Sequence, residues 1–519
     1  MWNIVLIGGH VNRQRHPWRS LAALCLAVFL VVIDNTIVNV ALPTLSIQLH
    51  ASNTALQWIV DGYALPFAGL LLAGGDFAER YGRRRTMHVA LAIFALFSFA
   101  AAECTSTGWL LAARACMGAS AAFIFPATLS LVSVTFPDPR QRTKAFGIWG
   151  AVVGVAIALG PIAGGYLLNH YWYGSVFLVS VPVAVVAIAA TAQWVGESRS
   201  AEARSLDVGG LTFGVTAVTL LTLGIIQGPS WGWRSPVIIV IFAVFVVVGL
   251  VFVRYERRRS DPLLDVSVFR NRTFSSAAAA IATSFFCLFG FIFVVTQYFQ
   301  LIRGYSPLSA GVHTLPFAIV TALVTPLGAL AALRIGTRWV VSGGLVIMGS
   351  ALAWMATLDA RAPYLGPVVV SMMVLAFGFS LISSPSTSAL MNALSARQIG
   401  AGAAVNETTR EVGGTLGVAV MGSVFSSLFG PQIVQALSPL HLPTAVVNAA
   451  RSSMQATLSV LHGLSPASAA VVRPMVVSAF MSGFHRACIV ASVSTIVIGL
   501  LVFWFLPGPL PVDQGSRLD

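Results

Sequence analysis

Fourteen times along this chain an apolar run of about 20 residues gives way to a polar connection, and about 20 residues is what a helix needs to cross the hydrocarbon core of a bilayer. The runs cover residues 20–42, 55–77, 87–102, 109–131, 145–168, 176–195, 209–227, 235–253, 274–301, 309–333, 339–358, 366–390, 402–428 and 484–506. Inside lipid no water is available to satisfy backbone N–H and C=O groups, so such runs are expected to be helices. With 57% hydrophobic and only 9% charged residues, a soluble globular class is excluded. The expected fold is an all-α polytopic membrane protein with 14 transmembrane helices.

The basic residues test this count. With the N-terminus in the cytoplasm, 22 of the 30 Lys and Arg residues fall on the inner side, 6 fall on the outer side, and Arg114 and Arg410 lie within runs. A wrong number of spans would scramble this alternation, so both termini are expected to be cytoplasmic. The net charge of +13 follows from these scattered loop residues. No basic domain is present to bind nucleic acid, and no such partner is expected. Cys25, Cys104, Cys116, Cys287 and Cys488 show neither a disulfide framework nor metal-ligand spacing. The first run lacks a convincing cleavage pattern behind it and is expected to stay as an anchor.

Acidic residues are scarce, yet four sit within apolar sequence: Asp34, Asp61, Glu407 and Glu411. A carboxylate at bilayer depth is costly unless it is paired, protonated or facing water, so each marks a candidate site for protons or cations. Arg114 lies about 10 Å below the outer face by helical rise, at a depth similar to Asp61 and near Asp34. Arg114 and one or both of these aspartates are expected to share one cavity. Glu407 and Glu411, four residues apart, lie on one helical face. Arg410 stands three residues after Glu407 and can pair with it.

The loops divide the chain. A cytoplasmic tail covers 1–19, a six-helix bundle 20–196, a linker with two additional helices 197–273, a second six-helix bundle 274–506, and a tail 507–519. The second bundle includes a long external segment, 429–483. The linker contains the polar stretch 197–208 and a basic connector, 254–273. A weak repeat relates the halves: ERYGRRR after the second run matches RIGTR after the tenth. Parallel repeats of six spans are a transporter plan.

Three motifs carry a resemblance. The segment GDFAERYGRRRT, 75–86, resembles the loop signature of the major facilitator superfamily in Gly75, Gly82, Arg80, Arg83 and Arg84, with Glu79 in place of Asp. Glu79 and Arg80 are expected to form ion pairs that break and re-form. The fifth run, GVAIALGPIAGG, looks like the antiporter signature of that superfamily in Gly154, Gly160, Pro161, Gly164 and Gly165. The fourth run resembles its R-x-x-Q-G motif, with Met117 replacing Gln. DNTIVNVALP (34–43), WIVDGYAL (58–65), YSPLSAG (305–311) and NETTREVGGTLGVAVMGS (406–423) are similar to the fourteen-span drug:proton antiporter branch.

The resemblance implies a major facilitator fold in a 6 + 2 + 6 arrangement. It implies a proton-coupled antiporter that exports amphipathic, cationic compounds across the cell membrane by alternating access. The proton gradient would drive it, without a cofactor or metal. Its partners would be small molecules, protons and the bilayer; the sequence leaves the oligomeric state open, with a monomer expected. Asp34, Asp61, Arg114, Glu407 and Glu411 are the expected coupling and binding residues. Asn35, Trp58, Tyr63, Gln297, Gln300, Asn406 and Arg410 are the expected cavity lining. A dedicated exporter of one natural product is the alternative, and an integral-membrane enzyme a remote one. No nucleophile elbow or phosphate-binding glycine loop occurs, and G-x-x-x-x-G-K-[ST] is absent.

Overall fold

The computed structural model describes residues 16–199, 207–259, 262, 266–393 and 399–506. The two tails (through 15 and from 507) lie outside these residues, as do 200–206 of the linker, part of the second connector, and Arg397.

The described chain is helical almost throughout. The first stretch contains α1 (Pro17–Gln48), α2 (Asn53–Tyr81), α3 (Arg83–Ala102), α4 (Thr107–Thr135), α5 (Pro139–His170), α6 (Ser175–Leu178) and α7 (Ser180–Trp194). A hairpin follows, of α8 (Val208–Trp231) and α9 (Pro236–Glu256). Then come α10 (Arg272–Gln297), α11 (Pro307–His313), α12 (Leu315–Ile335), α13 (Thr337–Met355) and α14 (Val369–Asn392). The last stretch holds α15 (Ile399–Leu437), α16 (Thr444–Ser452), α17 (Met454–Gly463) and α18 (Pro466–Phe505).

Among the described residues, 13 helical stretches are long and apolar enough to cross a membrane. The bent α2, turned by 56° between Leu71 and Ala73, makes a fourteenth when taken as one span. A glycine pair, Gly74 and Gly75, follows the bend, where a helix is easily kinked. Several helices outrun their apolar cores. α15 continues to Leu437 and α18 begins at Pro466, so much of the expected 429–483 external segment is helical. A bilayer limits the apolar run, not the helix that contains it.

The helices gather into two clusters. In one, α1 packs on α5, α7 and α4, α2 on α4, and α3 on α4 and α7. In the other, α10 packs on α15, α14 and α18, while α13 packs on α14 and α18. The clusters meet where α2 runs against α15 and α11 against α5. The α8–α9 hairpin sits beside that junction, with α8 touching both α2 and α15. The repeat read in the loops has a backbone counterpart. Gly82 (φ 107°) ends α2 and opens α3, and Gly336 (φ 94°) does the same between α12 and α13. Only glycine adopts such a turn without strain.

Candidate functional site

Asp34 on α1 and Arg114 on α4 form a fully buried ion pair, with Arg114 Nη1 2.6 Å from Asp34 Oδ2. Arg114 Nε donates to the Ile59 carbonyl at 3.2 Å, and the guanidinium lies 4.3 Å from the Tyr63 ring centroid. Tyr63 is itself held by a hydroxyl bond to the Val31 carbonyl. Three helices therefore fix one charge. Asp34 Oδ1 and Arg114 Nη2 have no hydrogen-bond partner among the described residues. Removing one member of such a pair strands the other in a low-dielectric interior, at a cost of about 3–5 kcal/mol.

Asp61 does not join this pair. It is fully buried, and neither carboxylate oxygen has a hydrogen-bond partner among the described residues. Tyr63 points at Val31 and Arg114. Residues two apart on a helix point about 200° away from each other, so Asp61 faces the opposite way. One turn before it, Gln57 lies against Gly422 of α15, where an added Cβ would strike the Gln57 amide. Asp61 thus lies on the α2–α15 side, and of the two aspartates it is Asp34 that meets Arg114.

On α15, Arg410 Nη1 bonds Glu407 Oε1 at 2.8 Å, and Asn406 Nδ2 donates to the same oxygen at 3.0 Å. Arg410 also donates to the Thr387 hydroxyl on α14 and lies 5.3 Å from the Phe285 ring centroid. Glu407 is tied into this network. Glu411, one turn further on, is buried and its Oε2 has no partner among the described residues.

A narrow cavity of about 50 Å³ lies between the clusters. Its walls include Thr36 and Asn39 of α1, Pro161 of α5, Phe291 of α10, Phe317 of α12 and Met372 of α14. Glycines of the fifth run bring its end together. Gly160 meets the Thr36 side chain, Gly164 meets Ile37, and Gly165 meets the backbone of Pro307 and Leu308. Gly154 has open space beside it and makes no such approach. Of the lining residues expected from sequence, Gln300 crosses between clusters by donating to the Val40 carbonyl at 2.9 Å. Gln297 is buried against the Phe293 carbonyl, while Asn35 and Trp58 are half-buried outside the cavity wall.

In the 75–86 segment, Glu79 pairs with Arg83 at 3.3 Å rather than with Arg80, which stacks beside Tyr81. Of the ion pairs expected of Glu79 and Arg80, Glu79 thus forms one, with Arg83. The segment is helical through Tyr81, and side chains meet at i,i+4, not i,i+1. Gly75 packs loosely against Pro126 of α4.

The Major Facilitator Superfamily model matches residues 24–418. The chain belongs to that family. It is 33% identical over 499 residues to the multidrug efflux pump LfrA of Mycolicibacterium smegmatis, covering 96% of this chain and 98% of LfrA. It is 31% identical to the methyl viologen resistance protein SmvA of Salmonella typhimurium, over 94% of this chain and 98% of that one. In fold it is similar to the crystal structure of a bacterial homolog to the human lysosomal transporter Spinster, in an inward-facing and unoccupied conformation. That match has a TM-score of 0.66 at 17% identity, over 95% of this chain and 97% of the other. This facilitator is accordingly a multi-pass transporter of the cell membrane, not an enzyme, and its relatives are drug efflux and resistance proteins.

Sequence reasoning missed Glu197. Its carboxylate accepts from the backbone N–H groups of Arg84 and Arg85 at 3.1 and 3.0 Å, at the start of α3. Arg84 Nη1 returns a bond to the Val195 carbonyl at 2.8 Å. The end of the facilitator's first cluster is thereby clipped to its loop motif. The cavity residues Thr36 and Asn39 were also passed over, although both lie in the DNTIVNVALP stretch that carried the resemblance.

Proposed function

We propose that this facilitator is a proton-coupled exporter of amphipathic, cationic compounds that works by alternating access. Fourteen spans in a 6 + 2 + 6 arrangement, with both termini in the cytoplasm, accord with the 22 basic residues on one side. In that orientation the contacts between the clusters lie toward the outside, as with Ser46 and Ser453, whose hydroxyls are 3.0 Å apart. The cavity then opens toward the cytoplasm, where a drug enters.

The observation that carries the reading is the unpartnered Asp61 carboxylate, buried on α2. A buried carboxylate is stable when it holds a proton or faces a cation. Both species can satisfy Asp61, but not at once, and that competition couples proton entry to drug exit. Arg114 keeps Asp34 satisfied when no proton or substrate is bound, and Glu411 offers a further acid. The name of SmvA points to methyl viologen, a dication, which supports a cationic substrate class for this chain. The proton gradient supplies the energy, no cofactor is required, and one chain suffices.

The test is ethidium efflux from energised cells expressing the chain. Efflux that stops on adding a proton uncoupler is expected. Efflux indifferent to the uncoupler, at confirmed membrane expression, overturns the reading.

A further inference from the structure

The seam between α2 and α15 carries a row of buried polar side chains that no helix partner satisfies. Gln57 and Thr415 are each 1% exposed, Asp61 0% and Glu411 8%. The Gln57 amide nitrogen and oxygen, both Asp61 oxygens, the Thr415 hydroxyl and Glu411 Oε2 have no hydrogen-bond partner among the described residues. Buried polar groups in folded proteins are nearly always bonded, so four in one file call for an explanation.

Their register places them in order. Gln57 touches α15 at Gly422. Residues 411, 415 and 422 fall within about 40° of one another around α15, and 57 and 61 do so around α2. The two helices run in opposite directions, because Ser46, just before α2, meets Ser453, just after α15 and α16. Measured inward from the Gln57–Gly422 contact, Asp61 lies about 6 Å down, Thr415 about 10 Å and Glu411 about 16 Å. The cavity between the clusters has no wall from α2 or α15. In this conformation no residue of the file lines the cavity, so a cation reaches Asp61 only as the clusters move apart.

We propose that this seam is the proton path of the transporter, with Gln57 and Thr415 as its relay positions between the outer face, Asp61 and Glu411. This deepens the proton-coupled reading and rests on it. Water carries the proton in. The Gln57 amide orients that water, accepting at Oε1 and donating from Nε2. Hydronium gives its proton to an Asp61 oxygen and leaves water behind. The Asp61 O–H bond then breaks as a bridging water takes the proton; that water passes a proton to the Thr415 oxygen, the hydroxyl's own proton goes to a second water, and that water protonates Glu411. One O–H bond forms for each that breaks, and the net result is one proton moved inward. The relay positions differ in kind from the acids: neither titrates, and neither contacts the cavity where a drug would sit.

The experiment uses the purified full chain in liposomes with a pH dye inside and tetraphenylphosphonium as the transported probe. Thr415→Val, which keeps the side-chain shape, and Gln57→Leu are expected to slow proton-coupled transport at least several-fold. The KM for the probe stays at the wild-type value, and Thr415→Ser restores the rate. Wild-type proton flux in both variants overturns the path while leaving proton coupling intact. A raised KM in place of a slowed rate also overturns it, because the residues would then serve the probe. A wild-type protein that moves the probe without protons defeats the path and the proton-coupled reading together.

Discussion

Arg114 and Asp34 meet at 2.6 Å with neither side chain exposed to solvent. The guanidinium is further held by the Ile59 carbonyl and the Tyr63 ring, so its position is set by α2 as well as α1. This makes the pair a structural fixture of the first cluster and, in the proposed mechanism, a charge centre that a proton releases.

The two partners are expected to behave differently when replaced. Arg114→Ala leaves the carboxylate stranded and lowers stability by about 3–5 kcal/mol. Asp34→Asn leaves the buried Arg114 charge uncompensated but keeps an acceptor beside it, so the loss of stability is smaller, while coupled efflux is lost entirely. Thermal unfolding in detergent, set beside efflux at equal expression, checks both. Unchanged drug resistance in Asp34→Asn would remove it from the mechanism.

Among the described residues Asp61 has no partner to lose. Asp61→Asn is therefore expected to change stability by no more than about 1 kcal/mol, or to raise it, while efflux of the proposed cationic substrates collapses. The comparison is a melting curve against a resistance assay. A large loss of stability would reveal a partner and contradict the geometry.

Gly165 lies where a side chain would run into Leu308 and Pro307. Gly165→Val is expected to push α11 away from α5 and loosen the closed end of the cavity. Thr36, on the cavity wall, reports this. Replaced by cysteine in a cysteine-free background, it should react several-fold faster with an impermeant maleimide from outside in the Gly165→Val protein. Equal labelling would mean that this contact does not hold the end shut.

Glu197 caps α3 through two backbone N–H groups. Glu197→Ala is expected to cost about 1 kcal/mol, the usual worth of a helix cap, and to slow transport by freeing the loop motif. Glu197→Asp should recover part of both. A melting curve and initial efflux rates decide it.

Much of the span plan was legible because apolar length is a property of local sequence. The expected run 274–301 sits inside Arg272–Ile302, and 109–131 inside Thr107–Thr135. The Asp34–Arg114 partnership was legible too, since two opposite charges at similar depth have few other ways to be satisfied. Whether Asp61 joins them was left open, because depth was read and direction around the helix was not. Its neighbour Tyr63 takes the Arg114 side, which sends Asp61 to α15. Glu197 could not be found at all, because its partners, Arg84 and Arg85, are more than 100 residues away in sequence. Gln57 and Thr415 became visible only through what they lack, which no single sequence displays.

The most direct test of the central claim is proton release on substrate binding. The purified protein, in weakly buffered detergent solution with a pH-sensitive dye, is mixed with tetraphenylphosphonium. Competition at buried carboxylates predicts that binding releases protons, and that Asp61→Asn reduces the release. Tight binding with no change in pH from the wild-type protein would contradict it.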